Sequence, residues 1–496
     1  MFDLGRTLLA SVQRMPEAVA ISDGERLLSY QAWQDDILRA AAGLDGLGLK
    51  LGDHFVTVLQ NRYEAATLHM AAQIAGLVIT PLNWRASAEE LDYVLNDAGA
   101  KAIVFEDATA DIIDTDITRI NVDRDWDGFI DRLPADALGR ATVVDKSLML
   151  YTSGTTGRGK GVPRTQGAER AAALAHVAQN QYGRGEITLG VMPLYHTMGV
   201  RSLLASVMIN GHFVCQRRYD PREALSLIAE HRITNLYLVP TLYHDLLASP
   251  FFADVDTGSV RKLGFAGQAM TDGLLQDLEA AFQPELFVNH YGSSEIYTFT
   301  IEPNAAAKPG SAGKAGLNQE IRIITLDAAG PDELVDGQKE GQIIAALDGD
   351  ESFSGYWNRP DADEKSLHDG WYYTGDIGYR DGDGDIFVTG RVDDMIISGG
   401  ENILPVEIES VLSLHPNVGE VAVVGLPDPR WGQVVTAFIV RRDDVGQEEL
   451  DAWCLQSDLP PFKRPRGYVF IREVPKSPVG KILRRLLVDG EYTVEA

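Results

Sequence analysis

Strand-like apolar runs alternate with helix-like segments through the first half of the chain. Three of these runs are Phe55–Leu59, Ala102–Phe105 and Leu236–Val239, and helices are predicted over Tyr30–Gly46 and Pro221–His231. Successive parallel strands need long crossover connections, which are usually helices. The alternation therefore predicts an α/β fold with layered, mostly parallel sheets and helices.

The pattern changes towards the C-terminus. Short β segments and tight turns predominate beyond Gly310, and the turn at Asp381–Gly384 predicts a hairpin in a β-rich subdomain. After Arg391 a compact α+β pattern of about 100 residues begins, which is enough for an independent domain. We place the boundary at Asp393, so that 1–392 form a large N-terminal domain and 393–496 a small C-terminal one. The elements predicted after the boundary are a helix near Pro405–Leu414, strands at Val421–Gly425, Thr436–Val440 and Tyr468–Ile471, and a helix from Glu448.

The composition is that of a globular protein, with 45% apolar and 23% charged residues. The formal net charge of -28 at pH 7 repels nucleic acid and acidic membrane surfaces, so neither is expected as a partner. We recognise no secretory leader and no apolar run of roughly 18 residues. Two widely separated cysteines, Cys215 and Cys454, suggest a reducing compartment. A cytoplasmic location is therefore expected.

One segment reverses the overall charge. Between Phe462 and Arg485 the only acid is Glu473, and such a basic island on an acidic protein suits a small polyanionic ligand. A solvated helix face is the alternative explanation. The basic residues of the segment are Lys463, Arg464, Arg466, Arg472, Lys476, Lys481, Arg484 and Arg485.

A loop rich in glycine and hydroxyl residues follows the strand candidate Leu148–Leu150. It runs from Tyr151 to Gly161 with the sequence YTSGTTGRGKG. Glycines allow the backbone to approach a ligand closely, the hydroxyl and N–H groups can donate to phosphate oxygens, and Lys160 adds positive charge. The loop therefore predicts a phosphate-binding site.

Two other loop types are tested against the sequence and rejected. The spacing from Gly154 to Lys160 fits a Walker loop, but Gly161 stands where that loop needs Ser or Thr to hold magnesium. A calcium loop starting at Asp381 would need glycine at its sixth position and glutamate at its twelfth, where Ile386 and Val392 stand.

The glycine-rich loop resembles the signature of the adenylate-forming enzymes, the superfamily of acyl- and aryl-CoA synthetases, peptide-synthetase adenylation domains and firefly luciferase. Further motifs follow in the order and spacing of that superfamily, and the resemblance is greatest to enzymes of the 4-chlorobenzoate:CoA ligase type. Those motifs are Pro193–Gly199, Tyr291–Glu295, Tyr373–Asp376, Gly390–Asp394, Ser398–Asn402, Arg430–Gln433, Phe462–Arg466 and Pro475–Lys481.

The resemblance implies a two-step reaction that uses ATP, Mg²⁺ and coenzyme A. A carboxylic acid first becomes an acyl-adenylate with release of pyrophosphate, and the acyl group then passes to the CoA thiol with release of AMP. It also implies a C-terminal domain that rotates about a hinge at Asp393. One departure from the family pattern is Gly159, where proline is usual, and this should loosen the loop.

Roles for individual residues also come from the resemblance. Lys481, His196 and Glu295 would be catalytic, with Glu295 as the Mg²⁺ ligand, while Asp376 would accept hydrogen bonds from the ribose and Arg391 would assist at ribose and phosphate. The complete ATP and AMP site would comprise Thr152, Ser153, Gly154, Thr155, Thr156, Gly157, Lys160, Gly267, Gln268, Tyr291, Gly292, Ser293, Ser294, Asp376 and Arg391.

The same resemblance assigns residues to the two other substrates. The expected substrate is an aromatic or alicyclic carboxylate such as a substituted benzoate, because the aromatic and small side chains of the acid pocket suit a flat ring. His290 replaces an expected aliphatic residue, which suggests a polar substituent. The pocket would be lined by His196, Met198, Tyr237, Ala266, His290, Gly292 and Tyr297. CoA would bind at Arg85, Gly399, Gly400, Glu401, Trp431, Phe462, Arg464 and Arg466.

Several alternatives remain open at this point. Within the fold, the chain could be a fatty-acyl-CoA synthetase or a free-standing enzyme that loads a carrier protein. A luciferase-like oxygenase and an inactive nucleotide-binding module are further possibilities, and Trp431 could be a core residue. The oligomeric state is also open, with a homodimer as one alternative.

Overall fold

The computed structural model describes residues 2–132, 141–152, 159–476 and 482–495. Within those ranges the fold is mixed α/β, as predicted. The α-helices are α1 (Leu4–Arg14), α2 (Tyr30–Gly46), α3 (Tyr63–Ala75), α4 (Ala88–Ala98), α5 (Val122–Ile130), α6 (Gln166–Gln179), α7 (Thr197–Met208), α8 (Pro221–His231), α9 (Pro240–Ala248), α10 (Asp272–Phe282), α11 (Pro360–Ser366), α12 (Pro405–Ser413), α13 (Gln447–Gln456) and α14 (Arg484–Val488).

The strands form three sheets. A sheet of six contains β3 (His54–Val58), β4 (Val78–Pro81), β5 (Ala102–Phe105), β6 (Thr118–Asn121), β7 (Lys146–Thr152) and β8 (Lys160–Thr165). A sheet of fourteen contains β1 (Val19–Asp23), β2 (Arg26–Ser29), β9 (Ile187–Gly190), β10 (His212–Cys215), β11 (Asn235–Leu238), β12 (Lys262–Ala266), β13 (Leu286–Tyr291), β14 (Thr300–Glu302), β15 (Ser311–Ala315), β16 (Ile321–Ile324), β17 (Gly341–Ala346), β18 (Leu367–His368), β19 (Trp371–Arg380) and β20 (Ile386–Arg391). The third sheet contains β21 (Ile396–Ser398), β22 (Glu401–Ile403), β23 (Val418–Asp428), β24 (Gly432–Arg441) and β25 (Gly467–Phe470).

The early strands pair mostly in parallel, as the alternating pattern predicts. In the large sheet β10, β9, β11, β12 and β13 are parallel neighbours, and in the six-stranded sheet β3 to β7 are parallel. From β14 onward the large sheet becomes antiparallel, and β19 and β20 form the hairpin predicted around Asp381–Gly384. The carboxyl ends of β11, β12 and β13 therefore share one edge, which is where ligands bind in open α/β sheets.

Local sequence signals account for the helix boundaries. The predicted helices Tyr30–Gly46 and Pro221–His231 are present as α2 and α8. Asp220 caps α8 by accepting a hydrogen bond from the backbone N–H of Glu223 at 2.9 Å, and Pro221 occupies the first turn. None of the described helices is both long enough and apolar enough to span a membrane.

The third sheet is built from residues that follow Asp393. It has its own apolar core, to which α12 contributes Ile408 and Leu412 and α13 contributes Leu450 and Cys454. Asp393 itself is exposed in a short 3₁₀ helix, Val392–Asp394, between β20 and β21.

Candidate active site

A buried carboxylate in the middle of one strand contacts the last residues of two others. Asp376 of β19 lies opposite Arg391 of β20 in the antiparallel register, and Arg391 Nη1 is 3.0 Å from Asp376 Oδ1. The hydroxyl of Tyr291, at the end of β13, donates to Asp376 Oδ2 at 2.5 Å. Asp376 is only 8% exposed, so these charge-assisted bonds fix its orientation. This donor and acceptor set fits the hydroxyls of a ribose and an adjacent phosphate.

A second buried carboxylate lies near a lysine. Glu295 is 6% exposed, and the hydroxyl of Tyr356 donates to Glu295 Oε1 at 2.6 Å. Lys160 Nζ lies 4.0 Å from the centre of the Tyr356 ring. Burial lowers the pKa of Lys160, and the charge of Glu295 opposes that shift. A carboxylate oxygen beside an ammonium group suits a Mg²⁺–phosphate pair, because Mg²⁺ prefers oxygen ligands.

Glu295 is positioned by a tight loop that follows β13. A Cβ on Gly292 would lie 1.9 Å from the carbonyl oxygen of Tyr297, so only glycine fits there. Ser293 Oγ accepts hydrogen bonds from the backbone N–H groups of Glu295 and Ile296 at 3.2 and 3.3 Å. Ser294 is partly buried in the same loop.

The two ends of the phosphate loop lie side by side. Thr152 at the end of β7 pairs with Lys160 at the start of β8. A Cβ on Gly159 would lie 2.7 Å from the carbonyl oxygen of Thr152, so the proline usual in this family would not fit this backbone without movement. Gly159 also accepts a hydrogen bond from the Tyr93 hydroxyl at 3.0 Å. The predicted ligands Ser153, Gly154, Thr155, Thr156 and Gly157 lie outside the described residues.

Lys481 also lies outside the described residues. Its neighbourhood is partly described, because Lys476 and Ile482 pair as an antiparallel bridge. Its expected role in adenylation stays a prediction.

His196 stands at the N-cap of α7. Its Nδ1 accepts a hydrogen bond from the backbone N–H of Met198 at 3.3 Å. Burial and the charge of Arg201 lower the pKa of His196 to about 4, so the ring is neutral near pH 7 and carries its proton on Nε2. This nitrogen can donate to an acyl carboxylate.

The predicted acid pocket lies at the edge where β11, β12 and β13 end. The rings of Tyr237 and His290 are 6.0 Å apart, and Met198 and Tyr297 are buried. Ala266 ends β12. His290 faces a polar interior, since its Nε2 lies 2.5 Å from Arg201 Nη1 and 3.1 Å from the carbonyl oxygen of Tyr297. Gly267, with a φ of 88°, and Gln268 follow at the same edge.

Two of the residues predicted to bind CoA, Gly399 and Arg466, lie against Trp431, which is itself a predicted CoA residue. Gly399 and Gly400 both have positive φ and form the two-residue turn between β21 and β22, the second of which begins at Glu401. A Cβ on Gly399 would lie 2.8 Å from Trp431 Cε3. The guanidinium carbon of Arg466 lies 4.5 Å from the centre of the Trp431 ring. Trp431 is partly exposed, which contradicts the alternative of a buried core residue.

The other predicted CoA residues lie in separate surroundings. Arg464 pairs with Asp451 at 2.9 Å, and Phe462 is exposed. Arg85 follows β4, and its guanidinium carbon lies 3.9 Å from the centre of the Trp84 ring.

Two sequence profiles match the chain. The AMP-binding enzyme profile matches residues 8–357, and the profile of the AMP-binding enzyme C-terminal domain matches residues 407–481.

The chain belongs to the AMP-binding enzyme family.

The alignments with individual relatives cover nearly the whole chain. A 4-chlorobenzoate–CoA ligase of an Arthrobacter species is 32% identical over 489 residues, which are 96% of this chain and 93% of the relative. A long-chain-fatty-acid–CoA ligase of Mycobacterium tuberculosis is 31% identical over 90% of each chain. The crystal structure of ATP-bound MatB from Rhodopseudomonas palustris superposes with a TM-score of 0.89, at 26% identity and 99% coverage of both chains. The chain is accordingly an AMP-forming acyl- or aryl-CoA synthetase that uses ATP, Mg²⁺ and CoA.

Asp381, Asp383 and Asp385, which were rejected from the sequence as the start of a calcium loop, surround a lysine in the structure. Lys308 Nζ lies 2.6 Å from Asp381 and 3.1 Å from Asp383, and it also contacts Asp385. A lysine ammonium group therefore provides the positive charge among these carboxylates.

Sequence reasoning missed several residues that contact the candidate site. Tyr356 contacts Glu295, and Asp428 Oδ1 accepts hydrogen bonds from the backbone N–H groups of Arg430 and Trp431, both at 2.8 Å. The guanidinium carbon of Arg430 lies 4.7 Å from the centre of the Trp431 ring. Arg201, in contact with His290, was also missed. The Arg430–Trp431 motif itself could have indicated Arg430, whereas the others carry no local signal.

Proposed function

We propose that the chain converts an aromatic carboxylic acid of the substituted benzoate class into its CoA thioester. One observation carries this proposal. His290 in the predicted acid pocket and Tyr291 in the Asp376 cluster are neighbours on β13, so the acid and the nucleotide would bind next to each other. The aromatic walls formed by Tyr237 and Tyr297 suit a flat ring.

In the first step a carboxylate oxygen of the acid attacks the α-phosphorus of ATP, the bond to the β-phosphate oxygen breaks, and pyrophosphate leaves. Asp376 accepts hydrogen bonds from the ribose, and Arg391 stabilises the adjacent phosphate. Lys160 and Thr152 contribute to phosphate binding, and Glu295 supplies the oxygen ligand for Mg²⁺. Lys481 stabilises the negative charge that grows in the transition state. His196 contacts the acyl carboxylate.

In the second step the CoA thiolate attacks the acyl carbonyl carbon, and AMP leaves as the carbon–oxygen bond breaks. Trp431 stacks on the CoA adenine, and Arg466 binds its phosphates. Gly399, Gly400 and Glu401 line the approach to the acyl group. Arg85, Phe462 and Arg464 complete the CoA site.

The two steps need different groups at one acyl centre. Lys481 serves adenylation, whereas the Gly399–Glu401 turn serves thioester formation, and both cannot occupy the centre together. The domains 1–392 and 393–496 therefore adopt two relative orientations about Asp393. Rotation at a few residues between elements is enough for such a change.

Two alternatives within the family are less well supported. A fatty-acyl chain would meet the buried guanidinium of Arg201 beside His290, which favours a polar group over a methyl end. Loading of a carrier protein would leave Trp431 and its two flanking arginines without an adenine to bind.

Product analysis across a panel of acids tests the proposal. Benzoates, hydroxybenzoates, cinnamates, alicyclic acids and fatty acids are each incubated with ATP and Mg²⁺, with and without CoA. We expect pyrophosphate with an aromatic acid alone, and AMP with the aryl-CoA thioester once CoA is added. Thioester formation with fatty acids only would contradict the aromatic substrate, and acylation of a carrier protein instead of CoA would contradict the second step.

Location and assembly are also proposed. We expect a cytoplasmic enzyme, in keeping with the reducing compartment suggested by the cysteines, and a homodimer is one of the assemblies to be tested. Cell fractionation tests the first expectation, and sedimentation equilibrium of the purified chain tests the second.

A further inference from the structure

An arginine is buried in the wall of the acid pocket. Arg201 on α7 is 2% exposed. Its Nη1 lies 2.5 Å from His290 Nε2 and 3.5 Å from the Tyr237 hydroxyl, and its guanidinium carbon is 4.7 Å from the centre of the Tyr297 ring. All three contacts are with predicted pocket residues. The guanidinium therefore lies among the side chains predicted to form the acid pocket.

The charge of Arg201 has no carboxylate in direct contact within the described part of the chain, and its Nε has no hydrogen-bond partner there. Arg164, which is also buried, differs because its Nε lies 2.8 Å from Glu169 Oε1. Burial raises the pKa of Glu351 above its usual value, and the charge of Arg201 opposes that shift without a direct contact between the two side chains in the described residues. A buried cation without an ion-pair partner is costly, so an anionic ligand group would stabilise it.

A second unsatisfied donor lies beside the same rings. His176 on α6 has its ring centre 4.7 Å from that of Tyr237 and 6.1 Å from that of His290. The side-chain amide of Asn180 donates to His176 Nδ1 at 3.0 Å, which leaves the proton of the neutral ring on Nε2. That nitrogen is buried and has no partner among the described residues.

The contact with Arg201 also defines the protonation of His290. A positive charge on the His290 ring would lie beside that of Arg201, whose Nη1 is 2.5 Å from His290 Nε2, so the ring is neutral. Burial and the charge of Arg201 hold the pKa of His290 well below its usual range. The positive charge of this part of the pocket therefore resides on Arg201.

We propose that the acid pocket takes a dicarboxylic acid, whose second carboxylate binds Arg201 and His176 while the first is adenylated. This inference rests on the proposed function of the pocket and narrows its substrate class. A carboxylate matches the site better than a hydroxyl because it accepts from both N–H donors and also neutralises the guanidinium.

Matched acids and variants test the inference. The kcat/KM for CoA-thioester formation is measured with benzoate, 4-hydroxybenzoate and the benzene-1,3- and 1,4-dicarboxylates. The wild-type enzyme is expected to prefer one diacid over benzoate by about 30-fold or more, as a buried charge pair worth about 2 kcal/mol or more implies. Arg201→Met should abolish that preference, mainly by raising the KM for the diacid. Arg201→Lys should retain part of it, and Arg222→Met on the exposed α8 surface should retain all of it.

The outcomes separate the inference from the proposed function. If no acid gives CoA-dependent AMP, the proposed function fails. If benzoate is used and both diacids are poorer than benzoate, the dicarboxylate inference fails alone. If the enzyme prefers 4-hydroxybenzoate and Arg201→Met removes that preference, the group that Arg201 binds is a neutral hydroxyl. That result would overturn the proposal of a second carboxylate. If Arg201→Met does not fold, the ratio of kcat/KM for the diacid to kcat/KM for benzoate in the wild-type enzyme decides whether the dicarboxylate inference holds.

Discussion

Replacing Trp431 by alanine should weaken CoA binding without affecting adenylation. The ring is partly exposed, it packs against Gly399, and guanidinium groups lie 4.5 and 4.7 Å from its centre. Stacking of a base on an aromatic side chain contributes about 1–3 kcal/mol. At 1.4 kcal/mol for each factor of ten, the CoA KM should rise about 5- to 150-fold. The first half-reaction needs no CoA, so its rate should stay near the wild-type value.

Two assays measure the two effects separately. Pyrophosphate exchange into ATP, with the acid but without CoA, reports adenylation, and thioester formation at varied CoA gives the KM. Because Trp431 is not a core residue, the melting temperature should fall by only a few degrees. Trp453→Phe is the matched control, since Trp453 lies in the same C-terminal segment but donates to the carbonyl oxygen of Val411 and packs on His415. Equal losses in both assays for Trp431→Ala, or a large drop in melting temperature, would refute the stacking role.

Three further predictions concern catalysis, domain rotation and pH. Lys481→Ala should nearly abolish adenylation yet spare thioester formation from supplied acyl-adenylate, and equal losses in both half-reactions would contradict its role. Asp393→Pro fixes φ near -65° and should trap the C-terminal domain in one orientation. One half-reaction should then survive while the other falls by orders of magnitude. Rates near wild type in both half-reactions would place the hinge elsewhere. Burial lowers the pKa of His69 and His196 to about 4, so the unfolded chain binds more protons below pH 6.5. Each histidine should therefore cost about 1.4 kcal/mol of stability per pH unit between pH 6.5 and 4, and urea unfolding at stepped pH that shows no decline would contradict this.

Local patterns predicted the elements well because helices and strands follow from nearby residues. Pro221 and the periodicity of Pro221–His231 predicted α8, and the alternating first half predicted the parallel strands. The residues assigned to the nucleotide were singled out for another reason. Tyr291, Asp376 and Arg391 stand in motifs with fixed residue types, although their contact joins three strands.

Arg201 could not be predicted to lie in the pocket. It stands inside a helix and carries no motif, and its contact with His290 spans 89 positions of the chain. The packing of α7 against the sheet decides whether such an arginine is buried or solvated, and sequence periodicity does not give that packing. His176 was missed for the same reason, because a histidine on a helix is as compatible with a core as with a binding site.

His290 and Tyr291 are neighbours on β13, but only position 290 can be substituted without disturbing the predicted nucleotide contacts. Successive side chains of a strand point to opposite faces, so position 290 faces the acid pocket and position 291 faces the Asp376 cluster. A substitution at 290 can therefore alter the choice of acid while the nucleotide contacts stay intact. Position 292 has no such freedom, because any side chain there would collide with the backbone at Tyr297. Mutations that give new acid specificities should accumulate at 290 and on α7, and spare 291 and 292.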